Sequence, residues 1–460
     1  MAKHFRKLRM EQMEARQMMA GDVTASVMDG NLYINEAARQ VGRDNGITIS
    51  QLANGMIRVE GHNPLNTTTG TPSRVNGAAY ADFSLPASSL GTGRNLYVNL
   101  GGGEDQVIFQ YGSGGASTFQ SVVLNVGTTS ATKNVSDNDR IIVNSLRTFG
   151  SLTVDTGIGN DWVFLSNATI GDGWGRDVVS INTGAGADTV TMKNDTRVNG
   201  SVDIQTYAAL SETDIDSVYF DTNTVVEGSI NVRTGGGDDN FLVTTESQSF
   251  IAWGGVTTNG SLTVDMGAGN DKVYARGVKV AFNFRLFTGA GADNVTIDNR
   301  SSQLLDGTYF VPRVGGNLEV QTYYAVEETD ADTLRIYDAA IDGSLIARLG
   351  GGNDTFLLED ADYIRNDLDL HMGAGNDTAT ISGFITDHLM AWMGEGDDTL
   401  TLGRTWAYRL LMDGNLGVDR LYTTPDTYAQ YYDYLGWEYI NGRRPGLLGG
   451  LSGGKLDTKA

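Results

Sequence analysis

The stretch MGAGNDTATI, Met372 to Ile381, decides how this chain folds. It places a glycine on either side of one residue, then an aspartate two places on, then apolar residues at every second position. The pattern returns as TGIGNDWVFL from Thr156, TGAGADTVTM from Thr183, TGGGDDNFLV from Thr234 and MGAGNDKVYA from Met266. It returns again as TGAGADNVTI from Thr288, LGGGNDTFLL from Leu349 and MGEGDDTLTL from Met393, with an outlying LGGGEDQVIF from Leu100. The spacing of the aspartates sets the unit: 22 residues from Asp271 to Asp293, 23 from Asp354 to Asp377 and 21 from Asp377 to Asp398. Degenerate units fill the longer gaps, marked by Asp139, Asp216, Asp332 and Asp419.

Each unit holds a strand, a glycine turn and a second alternating strand, as in GSLTVDMGAGNDKVYARGV from Gly260. Two or three short strands in every 21–23 residues make one coil of a parallel β-helix, each strand pairing with its equivalent one turn away. The expected fold is therefore all-β, a single-domain solenoid of about a dozen turns. Glycine supplies the positive φ of a sharp corner, and the alternating Val, Ile, Leu and Phe fill a narrow interior. Sixty glycines against six prolines in 460 residues agree with short strands and tight turns. A longer repeat is superposed: GSVDIQTYAALSETDIDSVYF from Gly200 is echoed by GNLEVQTYYAVEETDADTLRIY from Gly316, and in both an acidic excursion replaces the glycine turn.

The expected layout has residues 1–20 as a leader or N-terminal helix and 21–93 as irregular first turns that close one end. Residues 94–423 are the regular β-helix, 424–442 an aromatic C-terminal cap (TYAQYYDYLGWEYI) and 443–460 a flexible tail. The leader has Lys3, Arg6, Lys7, Arg9 and Arg16 against Glu11 and Glu14, and it lacks the uninterrupted apolar core of a secretory signal. Its MEARQMMA, Met13–Ala20, resembles the L-E-P-R-x-L-L leader of large repetitive bacterial surface proteins, with Glu14 and Arg16 in place. That resemblance implies export, to a secreted or cell-surface location. A net charge of −23 argues against a nucleic-acid partner and favours cations, although acidity by itself keeps a surface soluble. Cysteine is absent, which excludes disulfides and thiolate metal sites, and no apolar run is long enough for a transmembrane helix.

Carboxylates repeated at the same point of turns about 4.8 Å apart repel by about 3 kcal/mol at an effective dielectric of about 20. Something must offset this. The motif resembles the nonapeptide G-G-x-G-x-D-x-U-x of the hemolysin-type RTX proteins, LGGGNDTFL from Leu349 being a near match. The resemblance implies calcium between successive turns, with Asp161, Asp188, Asp239, Asp271, Asp293, Asp354, Asp377 and Asp398 as ligands. The first motif glycine is replaced here by Thr, Met or Leu, and the copies are a whole turn apart rather than in tandem. The alternative is structural: each aspartate, with Asn160, Asn270, Asn353 or Asn376 beside it, caps its own turn by accepting backbone N–H bonds.

Two function classes follow. The first is a non-enzymatic extracellular protein with a structural or adhesive role, monomeric in solution because the C-terminal aromatics cover the last turn. The second is a carbohydrate-binding or polysaccharide-cleaving β-helix, similar to the polysaccharide lyases and pectin hydrolases. There Trp162, Trp174, Trp253, Trp392 and Trp406 would offer stacking platforms, and His371, His388, Arg365, Asp369 and Asp387 are the candidate polar groups. Interior tryptophans favour the first class; an exposed aligned row beside charged groups favours the second.

Overall fold

A computed structural model describes residues 22–38, 42–63, 72–86, 94–128, 137–173, 176–221, 223–244, 256–298, 302–303, 309–310, 313–323 and 328–442. The leader, the C-terminal tail, Trp174 and Trp253 lie outside them. The described chain is all-β and contains no helix. Forty-one strands join one solenoid-like sheet, and a separate antiparallel pair joins Ser302–Gln303 to Tyr309–Phe310.

Pairing runs from unit to unit. Trp162–Ser166 lies parallel between Arg140–Asn144 and Thr189–Lys193, and Val178–Asn182 lies parallel between Leu152–Asp155 and Ser201–Gln205. The short strand Thr169–Ile170 is held in the same way between Leu146–Thr148 and Arg197–Val198. Register is kept over long distances because alternate residues must all point inward. One column runs Val163, Val190, Val218, Phe241, Val273, Val295, Leu334, Phe356, Ala379, Leu400 and Leu421, each the partner of the one before. Every member of that column is buried. Each outward neighbour stays partly exposed, so buried and half-buried residues alternate along a single strand.

The glycine corners exist because turn rests on turn. Gly375 has φ +140°, and a Cβ there would stand 1.6 Å from the carbonyl oxygen of Gly352 in the preceding unit. No other residue type fits such an approach.

The N-terminal region is built differently. Val23–Met28 pairs antiparallel with Asn31–Glu36, and Gly46–Gln51, Ile57–Gly61 and Tyr80–Phe83 form an antiparallel meander. Asn31–Glu36 and Gly46–Gln51 also pair in parallel with Leu96–Asn99 and Gln106–Phe109, which splices the hairpins onto the regular sheet. The cause is local: Asp29 and Gly30 both have positive φ, 51° and 78°, as a two-residue hairpin turn requires. At the other end, Tyr428–Leu435 pairs in parallel with Thr399–Asp413, and Tyr432 and Trp437 are buried at the end of the core.

Candidate functional site

Each motif aspartate precedes a strand by one residue, so it shares the parity of the inward side chains: Asp377 falls in step with Ala379 and Ile381. The carboxylates therefore enter the solenoid instead of lining its edge. Asp161, Asp188, Asp239, Asp271, Asp293, Asp354, Asp377 and Asp398 are all at most 2% exposed.

Inside, they form a single chain of hydrogen bonds. The backbone N–H of Asp161 donates to Oδ1 of Asp188 at 2.8 Å, that of Asp271 to Asp293 at 2.9 Å, that of Asp354 to Asp377 at 2.8 Å and that of Asp377 to Asp398 at 2.8 Å. The degenerate units belong to the same line. Asp188 donates to Asp216, Asp216 to Asp239, Asp239 to Asp271, Asp293 to Asp332 and Asp332 to Asp354. Asp105 and Asp139 extend it upstream and Asp419 downstream. Its ends are closed by residues with no motif around them: Asn45 donates its N–H to Asp105, and Glu438 accepts from Asp419. Asp105, Asp139, Asp216, Asp332 and Asp419 were legible as unit markers; Asn45 and Glu438 carried no sequence signal.

The expected capping of each turn by its own aspartate is thus corrected, because Oδ1 serves the unit before it. The asparagines form a second, exposed ladder of the opposite sense. Asn376 donates its N–H to Oδ1 of Asn353, and Asp397 donates to Asn376, both at 2.7 Å. Backbone groups in a narrow solenoid corner cannot reach water freely, and these two side-chain ladders satisfy them.

Oδ2 is a different matter. At Asp216 and Asp332 it accepts the hydroxyl of Thr206 and Thr322, the QTY threonines of the long repeat. At Asp105, Asp139, Asp271, Asp354, Asp377, Asp398 and Asp419 the buried Oδ2 has no partner, while at Asp161, Asp188, Asp239 and Asp293 the hydroxyl of Thr156, Thr183, Thr234 or Thr288 in the same turn lies near the carboxyl and favours its ionised form without making a well-aligned bond. Desolvation drives these carboxyls toward the neutral form, to about 9 for Asp271, about 8 for Asp188 and about 7 for Asp161, Asp293 and Asp377.

Calcium requires about six to eight oxygens around it. The orphan Oδ2 atoms suit a cation, and each oxygen beside them accepts one hydrogen bond, which leaves it a second lone pair. Oδ1 is taken by the ladder, and the carbonyls of Gly157, Gly235 and Gly267 accept the N–H groups of Ala185, Ala268 and Ala290. The carbonyls of Ala185, Ala268, Ala290 and Ala374 are taken in turn by Gly159, Gly237, Gly269 and Gly352. Among the described residues, no three His, Asp or Glu side chains gather as a metal cluster. The donors are oxygens of the kind calcium takes.

The polar groups of the second function class separate into pairs. His371 Nε2 meets Asp369 Oδ1 at 3.1 Å, His388 Nδ1 meets Asp367 at 2.9 Å, and Arg365 with Arg313 holds Asp342. Asp387 is not drawn into these pairs among the described contacts. Trp162 lies partly exposed under the Arg140 guanidinium, 4.0 Å from its ring centre. On the C-terminal units an aromatic row does form. Phe384 and Trp406 stack at 4.5 Å and 9°, and Trp406 and Tyr428 at 6.3 Å and 15°. His371 likewise stacks on Trp392 at 6.2 Å. No helix among the described residues is long and apolar enough to cross a membrane. No family model, no curated protein and no solved structure matches this chain.

Proposed function

We propose that the chain is a parallel β-helix of about a dozen regular turns, serving as a non-enzymatic structural or adhesive rod outside the cell and monomeric in solution. What supports this most is the single hydrogen-bonded line from Asp105 to Asp419, which ties unit to unit without interruption and occupies the repeated aspartate of the motif. The repeated aspartate thereby has a role in the architecture. The exterior location rests on the leader-like residues Met13–Ala20.

The row Phe384, Trp406 and Tyr428 favours a second reading, a polysaccharide-binding face. Its geometry weakens that reading, since sugars stack on ring faces and the faces of Phe384 and Trp406 are turned on each other.

Small-angle scattering of the full chain tests the rod. Turns spaced by about 4.8 Å carry the Asp105–Asp419 segment over roughly 60 Å, so the particle should be monomeric and elongated. A compact, near-spherical envelope, or a dimer at every concentration, would refute it.

A further inference from the structure

One outer face of the solenoid departs from the acidity of the rest. The parallel series of strands from Gln106–Phe109 to Lys272–Arg276 turns alternate residues outward, and its middle outward column is apolar. It runs Ile108, Ile142, Phe164, Tyr219, Leu242 and Tyr274, interrupted once by Thr191, and every member is half-buried. Trp162 and Phe164 form a ring pair on this face, 5.5 Å between centres. A cation sits over each ring: the Arg140 guanidinium is 4.0 Å from the Trp162 centre and the Lys193 ammonium 5.1 Å from that of Phe164. Arg140 comes from the strand before the rings and Lys193 from the strand after, so the two charges flank the pair on opposite sides.

Among the described residues neither cation is ion-paired, whereas nine other arginines lie within 4.0 Å of a carboxylate. Burial pushes the Arg140 guanidinium down, and no acid stands beside it to push it back. Along the whole series the outward residues hold Arg140, Lys193, Lys272 and Arg276 against Asp221 and Asp298, in a chain whose net charge is −23. A guanidinium laid on an indole is fixed in place with its N–H edge free for a planar acid group. We propose that this face binds an extended acidic polysaccharide, one that carries a carboxylate or sulfate on every second sugar and lies along the solenoid axis. The proposal rests on the adhesive reading of the rod and gives that reading its partner.

Charge and spacing select this ligand. Arg140–Asn144 and Thr189–Lys193 are two strand spacings apart, about 9.6 Å. Two sugars of an extended β-linked chain cover a similar length. Acids on alternate sugars therefore reach Arg140 and Lys193 while the neutral sugar between them crosses the ring pair. The apolar C–H groups of the sugars settle on Ile142 and Phe164, and Tyr219 continues the floor toward the next units. A DNA strand brings a phosphate about every 3.4 Å of axis, so most of its charge would meet no cation on this acidic chain. A neutral glycan would leave both cations unanswered.

The test is calorimetric titration of the full-length protein with hyaluronan, whose uronic acid alternates with a neutral amino sugar, beside dextran and single-stranded DNA. Hyaluronan should bind, more weakly as salt is raised, and dextran should not. Arg140→Gln and Lys193→Gln should each weaken hyaluronan binding by about tenfold, the worth of one charge-assisted hydrogen bond, and Lys193→Arg should keep most of it. Arg285→Gln, at an arginine paired with Glu319 in another strand series, should bind as the wild type does. Should Arg140→Gln fail to fold, the Lys193 pair of variants decides. Absence of hyaluronan binding, equal binding of dextran, tighter binding of DNA than of hyaluronan at the same salt, or undiminished affinity in the glutamine variants would overturn the proposal. Each of these outcomes leaves the rod itself intact, which scattering measures separately.

Discussion

Asp377 shows how one residue carries three tasks. Its N–H donates forward to Asp398, its Oδ1 accepts from Asp354, and its buried position keeps the corner next to the core. Asp377→Ala removes the acceptor and leaves the Asp354 N–H unpaired in a dry corner, at a cost of about 1–3 kcal/mol. Asp377→Asn restores the acceptor without the charge, so at neutral pH it should equal or exceed the wild type. Urea unfolding of the pair measures this, and equal losses for both substitutions would show that the carboxylate itself is needed. At this scale the sequence was half legible. The periodic aspartate announced itself, but its direction was written only in parity, Asp377 in step with Ala379 and Ile381, and a glycine turn distracts from that count. The partner bonds lay about one unit away, where no local pattern can record them.

Among the elements, the regular strands were legible because alternation and spacing agree: Lys272–Arg276 and Asn294–Asp298 begin immediately after Asp271 and Asp293 and pair in full register. The N-terminal hairpins were not read, although the Asp29-Gly30 turn was a usable signal, and Asn76-Gly77 likewise has φ of 52° and 80°. Residues 21–93 were set apart as irregular first turns, without the antiparallel pairing that these turns direct. The outer aromatic row was foreseen only in part: Trp406 was named as a stacking platform, while Phe384 and Tyr428, a whole turn away on either side, carry no motif of their own. Cross-strand stacking of this kind contributes about 0.5–1.5 kcal/mol per pair. Trp406→Ala should therefore lower stability by about 1–2 kcal/mol in urea, while retention of soluble polysaccharides on affinity gels stays at its wild-type level. A selective loss of polysaccharide binding in a variant of unchanged stability would instead favour the glycan reading.

For the whole molecule, contacts reach only to the neighbouring units, so stability sums nearly unit by unit. Removing residues 377–397 and joining Asn376 to Asp398 takes out one complete 21-residue period and leaves Asp354 facing Asp398 in the vacated place. The shortened chain should unfold in one cooperative step with a melting temperature within a few degrees of the parent. Removing only residues 377–386 shifts every later strand out of register and should give an aggregating or unfolded product. Circular dichroism melts of the two deletions distinguish these outcomes, and equal tolerance of both would contradict the register argument.

The Asp ladder also points one way. Each N–H looks toward a carboxyl that comes later in the chain, from Asn45 and Asp105 at one end to Asp419 and Glu438 at the other. A nascent chain emerging N-terminus first always ends on a unit whose donor is waiting, and the next stretch of polypeptide brings the acceptor. Assembly can then advance like a zip, with the hairpins around Asp29-Gly30 as the fixed starter and Glu438 as the stop.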